Sequence, residues 1–216
     1  MRDIYQEQLR NLHQELLKMG AACEEMIDLA AQALTGCAAE LAEKTAQVGA
    51  SIDESEGTIE TICLKLLLRQ QPVAGDLRRI SAAMKMITDM ERIGDQAEDI
   101  VDLIPKMKRG PGESCSQIRE MADAARHMVT GAVNAYIRQD SELAKAVTDY
   151  DDVVDNYFNQ IKTGILSFIA ANPGEGEYAL DLLMVAKYFE RIGDHATNIA
   201  EWVIFSVTGV HPETNE

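Results

Sequence analysis

Apolar and small residues recur along this chain in alternating steps of three and four, the spacing of one face of an α-helix. One such run extends from Leu9 to Ala33, a second from Thr45 to Leu66 and a third from Leu77 to Ile87. The pattern predicts three long amphipathic helices. Pro72 separates the second helix from the third, because proline restricts the residue before it and has no amide to donate.

The helical pattern stops at a stretch rich in proline and glycine, from Ile104 to Ser114, and then resumes. Three more helices are predicted, with apolar positions from Ile118 to Ala135, from Leu143 to Phe168 and from Leu180 to Val207. The predicted organisation is therefore a first three-helix bundle over residues 1–104, a linker over 105–116, a second bundle over 117–210 and a tail over 211–216.

The string Glu-Arg-Ile-Gly-Asp occurs twice, at 91–95 and at 190–194, in the third predicted helix of each half. A repeat of this kind indicates internal duplication. The predicted fold class is all-α: six long helices in two tandem, spectrin-like three-helix bundles.

Charge and composition exclude several classes of function. With 36 acidic and 20 basic residues among 216, the formal net charge is -16, so nucleic acid and anionic lipid surfaces are not expected partners. No apolar run approaches the roughly 20 residues of a membrane span, and the first ten residues contain no apolar signal region. We expect a cytoplasmic protein without membrane insertion. The cysteines form no Cys-x-x-Cys pair and are expected to be reduced and mostly buried; they are Cys23, Cys37, Cys63 and Cys115.

The third predicted helix of each half carries oxygen-bearing side chains at intervals of four residues, which places them on one face at the edge of the apolar stripe. Each pair of like charges at this spacing destabilises a helix by roughly 0.2–0.5 kcal/mol, so solvent or a cation must relieve the repulsion. These residues are Glu91, Asp95 and Asp99 in the first half, and Glu190, Asp194 and Asn198 in the second.

Further carboxylates lie on the second helix of each half. Asp151 and Asp155 are again four residues apart, whereas the first half has Asp53 with Gly49 at the position of the other acid. Acids from both helices could form oxygen-rich sites for Fe, Mn, Mg, Ca or Zn, with one ion or several. The alternative is a solvated acidic stripe that pairs with Arg92 and Arg191.

Other features restrict the chemistry. Gly94 and Gly193 each cost a helix about 1 kcal/mol, which close approach of a neighbouring backbone or ligand would explain. Neither Glu91 nor Glu190 has the histidine three residues later that di-iron bundle enzymes use. His195 is expected to point away from the acidic face. No nucleophile elbow, phosphate-binding loop or dinucleotide motif is present, so no catalytic residue is predicted.

Two groups of basic residues interrupt the acidic background and could meet an acidic partner or simply be solvated helix ends. They are Lys106, Lys108 and Arg109, and Arg69, Arg78 and Arg79.

The sequence resembles the PhoU family of regulators of bacterial phosphate uptake over nearly its whole length. The resemblance rests on residues 16–20, on Cys63-Leu-Lys-Leu-Leu-Leu-Arg-Gln-Gln-Pro-Val-Ala74, on Asp76-Leu-Arg78, and on both copies of the repeated string, the second extended through Glu201. It implies a cytosolic, self-associating protein without catalysis. Such a protein restrains the phosphate-starvation response by coupling a phosphate ABC transporter, through its ATPase subunit, to a sensor histidine kinase.

The resemblance also implies metal clusters at the acidic motifs. Gly49 departs from the family pattern, which predicts a weaker first site or one that depends on Asp53 alone from its second helix. The competing hypotheses are a metal-dependent hydrolase or oxidase, and a metal-storing bundle. The expected metal ligands are Asp53, Glu91, Asp95, Asp99, Asp151, Asp155, Glu190, Asp194 and Asn198.

Overall fold

The structure, a computed structural model, describes residues 2–70, 72, 74–108 and 116–212; for residues 2–4, 36–39 and 69–70 it describes the backbone alone. Over these residues the chain forms six α-helices and no β-strand, which confirms the predicted all-α fold. The helices are α1 (Arg2–Gln32), α2 (Ala38–Gln70), α3 (Ala74–Leu103), α4 (Ser116–Arg138), α5 (Ser141–Ala171) and α6 (Gly176–Thr208).

The connections between helices follow local sequence signals. A π-helical segment, Ala33–Cys37, joins α1 to α2, and α2 ends just before Pro72, as predicted. Asp140 caps α5 by accepting hydrogen bonds from the amides of Glu142 and Leu143, at 3.1 and 3.0 Å. Gly209 ends α6 in the left-handed conformation, with φ of 82°, a backbone geometry that favours glycine.

Helices α1, α2 and α3 pack against one another, as do α4, α5 and α6, and the two groups meet along α3 with α6 and along α1 with α4. The α3–α6 pair is antiparallel. Near its start α3 places Lys85 over the ring of Trp202, 5.9 Å from the centroid, and further along it places Asp99 beside Tyr188. This register puts Gly94 level with Gly193, so the two halves are related by an approximate two-fold axis through that point.

Both of these glycines are buried in α3 and α6 and mark close helix packing, as the sequence indicates. A Cβ added at Gly94 would lie 2.9 Å from Cδ1 of Ile52 on α2. A Cβ added at Gly193 would lie 3.2 Å from Cγ1 of Val154 on α5. The glycines therefore let α2 and α5 approach the central pair.

We expect Gly193→Leu to destabilise the protein by about 1–3 kcal/mol, because overpacking against Val154 outweighs the roughly 1 kcal/mol that leucine gains in helix propensity. Val154 is β-branched and has few rotamers with which to yield. Urea unfolding measures the change. Gly164→Leu is the matched control: a Cβ at Gly164 meets nothing within 4 Å, so that variant should be at least as stable as the parent. Stabilisation of both variants would contradict the packing role of Gly193.

Candidate metal centres

Five carboxylates from α2 and α3 form what we term the first acidic patch: Asp53, Glu56, Glu91, Asp95 and Glu98. Most of them line a cleft of about 250 Å³ between the two helices. Burial, and then the charge of Asp95, raise the pKa of Glu91. Burial, followed by Asp102, Asp95 and Asp53, raises the pKa of Glu98. Burial and neighbouring negative charge therefore both disfavour ionisation of Glu91 and Glu98.

Four carboxylates from α5 and α6 form the second acidic patch: Asp151, Asp155, Glu190 and Asp194. Burial, assisted by Asp155 and Asp194, raises the pKa of Asp151 to about 6. Burial and Glu190 raise the pKa of Asp194, while Lys187 partly opposes that rise. Lys187 also forms an ion pair with Glu190, whose side chain is only 13% exposed. Both predicted glutamates thus lie at the edge of the core, as the apolar stripe indicates.

The two patches differ in the helix that supplies one of their acids. Gly94 packs on Ile52 as Gly193 packs on Val154, so Gly49 in the first half is equivalent to Asp151 in the second. A Cβ at Gly49 would lie 3.3 Å from Oε2 of Glu98, so the Glu98 carboxylate from α3 occupies the space beside this glycine. The equivalent of Glu98 in α6 is Thr197, which faces Asp151. The first patch therefore regains from α3 the acid that Gly49 removes from α2.

Sequence reasoning missed Glu98, although a signal for it was present. Glu98 follows Glu91 by seven residues, or about 700° of helix rotation, and so stops about 20° short of two full turns. Asp99, at eight residues, lies about 80° past them. Adding a second interval of four after Asp95 selects Asp99, although the helical period brings residue 98 closer to the face of Glu91.

Asp99 and Asn198, which the sequence places on the acidic faces, make side-chain hydrogen bonds across the α3–α6 interface. Asp99 accepts a hydrogen bond from the Tyr188 hydroxyl across the α3–α6 interface. Asn198 donates its side-chain amide to Oδ1 of Asp89 at 3.2 Å, and His195 Nδ1 lies 2.9 Å from the same oxygen. The rotation of 80° per eight residues turns both side chains toward the opposite bundle. The prediction that His195 points away from the acidic face is confirmed.

The donor chemistry of both patches is restricted to carboxylate oxygen, which suits hard cations such as Mg, Ca and Mn. Among the described residues, no three His, Cys, Asp or Glu side chains converge closely enough to hold a metal ion. Burial is the first cause of the raised pKa of Glu56, Glu91 and Asp151, and neighbouring carboxylates add to it.

Cysteine has no part in these patches. Cys23 and Cys63 are buried, and burial raises the pKa of each thiol to about 12, as expected for small core residues. Cys37 and Cys115 have side chains outside the described residues.

The two basic groups have different surroundings. Lys108 pairs with Glu177 at the start of α6, at 2.5 Å, and Lys106 is exposed. Arg78 and Arg79 are half-buried at the start of α3 rather than solvated. Arg109 and the Arg69 side chain lie outside the described residues.

None of the helices described here combines the length and the apolar character that a bilayer crossing requires.

Comparison with known proteins identifies the family. The model of the PhoU domain matches residues 16–104 and 118–203. A phosphate-specific transport system accessory protein PhoU homolog of Synechocystis is 37% identical over 210 residues, which cover 96% of this chain and 93% of the relative. A homolog of the same description from Clostridium acetobutylicum is 34% identical and covers 100% and 99%. The crystal structure of PhoU from Pseudomonas aeruginosa superposes with a TM-score of 0.88 at 31% identity, covering 95% of this chain and 100% of that one. Matched over both halves in sequence and in fold, the chain belongs to the PhoU family.

Proposed function

We propose that the protein is a non-enzymatic, cytosolic accessory regulator of phosphate transport. In this proposal it acts as a homodimer between the ATPase subunit of a phosphate ABC transporter and a sensor histidine kinase, and it restrains both phosphate uptake and the starvation response. The observation that carries the proposal is the similarity over the whole chain to proteins described as phosphate-specific transport system accessory proteins.

We further propose that each acidic patch binds metal, as one ion or as a cluster. Crowding supports this: the carboxylates already share one cleft or face, and a cation would convert their repulsion into coordination. The ligand set leaves out Asp99 and Asn198, whose side chains bond across the α3–α6 interface, and adds Glu98. The proposed ligands are Asp53, Glu91, Asp95 and Glu98 in the first patch, and Asp151, Asp155, Glu190 and Asp194 in the second.

A bound metal gives the regulator a means of responding to its surroundings. Without a cation the patches present strong negative charge, and with one they present neutral or positive surface to a partner or to an anion. The surface charge at two equivalent places on the molecule would thus depend on metal occupancy.

The test of the regulatory role is secreted phosphatase activity in a strain from which the gene has been deleted, grown with ample phosphate. We expect high activity, because the restraint on the starvation response is lost, and restoration of low activity by the wild-type gene. Low activity in the deletion strain, together with normal phosphate uptake, would overturn the regulatory role.

Complementation of the deletion strain with charge variants tests whether the second acidic patch is needed for regulation. Glu190→Gln with Asp194→Asn preserves side-chain shape while removing two charges, and it should restore restraint less well than the wild type. The control is Glu120→Gln with Asp149→Asn, which removes two charges from exposed positions of α4 and α5. Equal restoration by both double variants would separate the acidic patch from regulation.

A further inference from the structure

A third site, remote from the acidic patches, lies where the start of α3 meets the end of α6 and the α4–α5 corner. It is a cavity of about 350 Å³. Its lining includes Gly75 and Asp76 from the first turn of α3, Arg78 and Arg79 from the next residues, Gln139 from the corner, and Ser206 from α6.

The two arginines of this cavity are unusual in a chain of net charge -16. Among the described residues, no carboxylate forms an ion pair with either Arg78 or Arg79. Nε of Arg78 is buried and has no hydrogen-bond partner within the described part of the chain. Nε of Arg79 donates to a neutral acceptor, Oε1 of Gln139, at 2.6 Å. A half-buried guanidinium without an ion-pair partner is costly. The lining described above contains one carboxylate, that of Asp76, against two guanidinium groups.

Gln139 follows the end of α4 in the left-handed conformation that a Schellman C-cap requires, with the Asp140 amide donating to the Ala135 carbonyl at 2.9 Å. Its φ is 54°, and it is the one non-glycine residue with positive φ among those described. Its side-chain amide also donates to the carbonyl of Tyr136, at 2.7 Å, which fixes the direction of the oxygen that Arg79 meets. The hydroxyl of Tyr136 in turn donates to the Arg79 carbonyl, at 3.0 Å. The end of α4 thus fixes the Gln139 side chain beside Arg79.

Helix ends of both polarities meet at this cavity, because the last turn of α6 lines it as well as the first turn of α3. The first turn of α3 opens on the cavity, and its amides and dipole favour an anion. Asp76 also lies in this turn, and its carboxylate is next to the Tyr5 hydroxyl. Burial, and then Asp76, raise the pKa of that hydroxyl. On the far side, Arg78 contacts Gly209 at the end of α6, where an added Cβ would lie 3.6 Å from the guanidinium carbon.

We propose that this cavity binds a dianionic phosphate group, either as inorganic phosphate or as a phosphate monoester. Two guanidinium groups can form paired, charge-assisted hydrogen bonds to such an oxyanion, and α3 supplies further donors. The site uses no carboxylate of either acidic patch, so it does not rest on the metal proposal.

The test is calorimetric titration of inorganic phosphate into the full chain, with a chelator present and ionic strength held constant. The chelator removes any contribution from metal-bound anion. We expect Arg78→Gln and Arg79→Gln each to weaken phosphate binding about tenfold or more, since each removes a charged donor. Arg119→Gln, an equal charge change at an exposed position of α4, should leave affinity within about twofold of wild type.

A second variant keeps both arginines and tests how they are positioned. Gln139→Gly removes the acceptor that orients Arg79 and relieves the positive φ, so the protein should be no less stable while phosphate binding weakens several-fold. A purely structural role for Gln139 would leave phosphate affinity unchanged. If the arginine variants fail to fold, the phosphate affinity of Gln139→Gly still tests the proposal.

Glycerol phosphate, titrated in parallel, distinguishes the two sources of the phosphate group. Tighter binding of inorganic phosphate assigns the site to the free ion, and tighter binding of the monoester assigns it to a phosphorylated molecule. Absence of binding by the wild-type chain, or equal affinity in wild type and both arginine variants, would overturn the proposal. Neither result bears on the phosphatase phenotype of the deletion strain, so the two proposals fail independently.

Discussion

Asp151→Asn is expected to stabilise the metal-free protein by about 1–2 kcal/mol at pH 8, a figure reduced for solvent screening of this half-exposed carboxylate, and by less than about 0.5 kcal/mol at pH 4. The pKa of Asp151 is about 6 in the folded chain and about 3.9 when unfolded. Between these values the folded state binds more protons than the unfolded state, so stability falls as pH rises through that window. Asparagine removes this penalty, which burial and the charges of Asp155 and Asp194 impose.

The measurement is urea unfolding in the presence of a chelator at a series of pH values from 4 to 8. Asp152→Asn, at the adjacent exposed position of α5, makes the same chemical change outside the patch and should show little pH-dependent gain. A stability difference between wild type and Asp151→Asn that is constant with pH would contradict the raised pKa.

Metal is expected to reverse the order of stability of these two proteins. A cation at 100 times its dissociation constant stabilises the folded state by about 2.7 kcal/mol. The wild type should gain this amount at each patch, whereas Asp151→Asn should keep the gain of the first patch and lose most of that of the second, because it has lost a ligand and the repulsion that the metal relieves. Glu190→Gln with Asp194→Asn should also lose bound metal while keeping its helix content.

Thermal unfolding with and without Mn²⁺ or Mg²⁺, together with the metal content of dialysed protein, measures these effects. Circular dichroism reports helix content. The double variant Glu120→Gln with Asp149→Asn is the charge-matched control and should gain as much as the wild type. If all variants gain equally from metal, the cation binds outside the second acidic patch; loss of helix in the double variant would make its carboxylates structural.

The sequence predicted the fold because the decisive signals are local. Helical periodicity and Pro72 placed the helices, and Gly94 and Gly193 marked close packing before any contact was visible. Contacts between distant residues could not be read in the same way. Arg79 meets Gln139 across 60 residues of chain, and Asp89 meets His195 across 106, and neither pair has a local signature.

The acidic sites could be predicted from the sequence only in part. Glu91, Asp95 and their counterparts were found because one face of a helix has a known period. Repeated steps of four drift around the helix, so Asp99 and Asn198 lie about 80° past the glutamates whose face they were predicted to share, and Glu98 was missed for the same reason. The sequence could not show that Glu98 of α3 fills the space beside Gly49 of α2, because the two residues belong to different helices and meet only in the folded structure.

The antiparallel α3–α6 pair has a consequence for valency. With Gly94 and Gly193 level at the approximate two-fold axis, each acidic patch has a counterpart at the same height on the other side of the pair. A single chain therefore offers two similar binding faces in opposite orientations, and a symmetric partner could engage both. Simultaneous engagement would raise apparent affinity by about 10²–10⁴ over one face alone, without any new contact. Because the faces draw their acids from different helices, their occupancies could differ, so the protein could pass from one engaged face to two as metal or partner concentration rises.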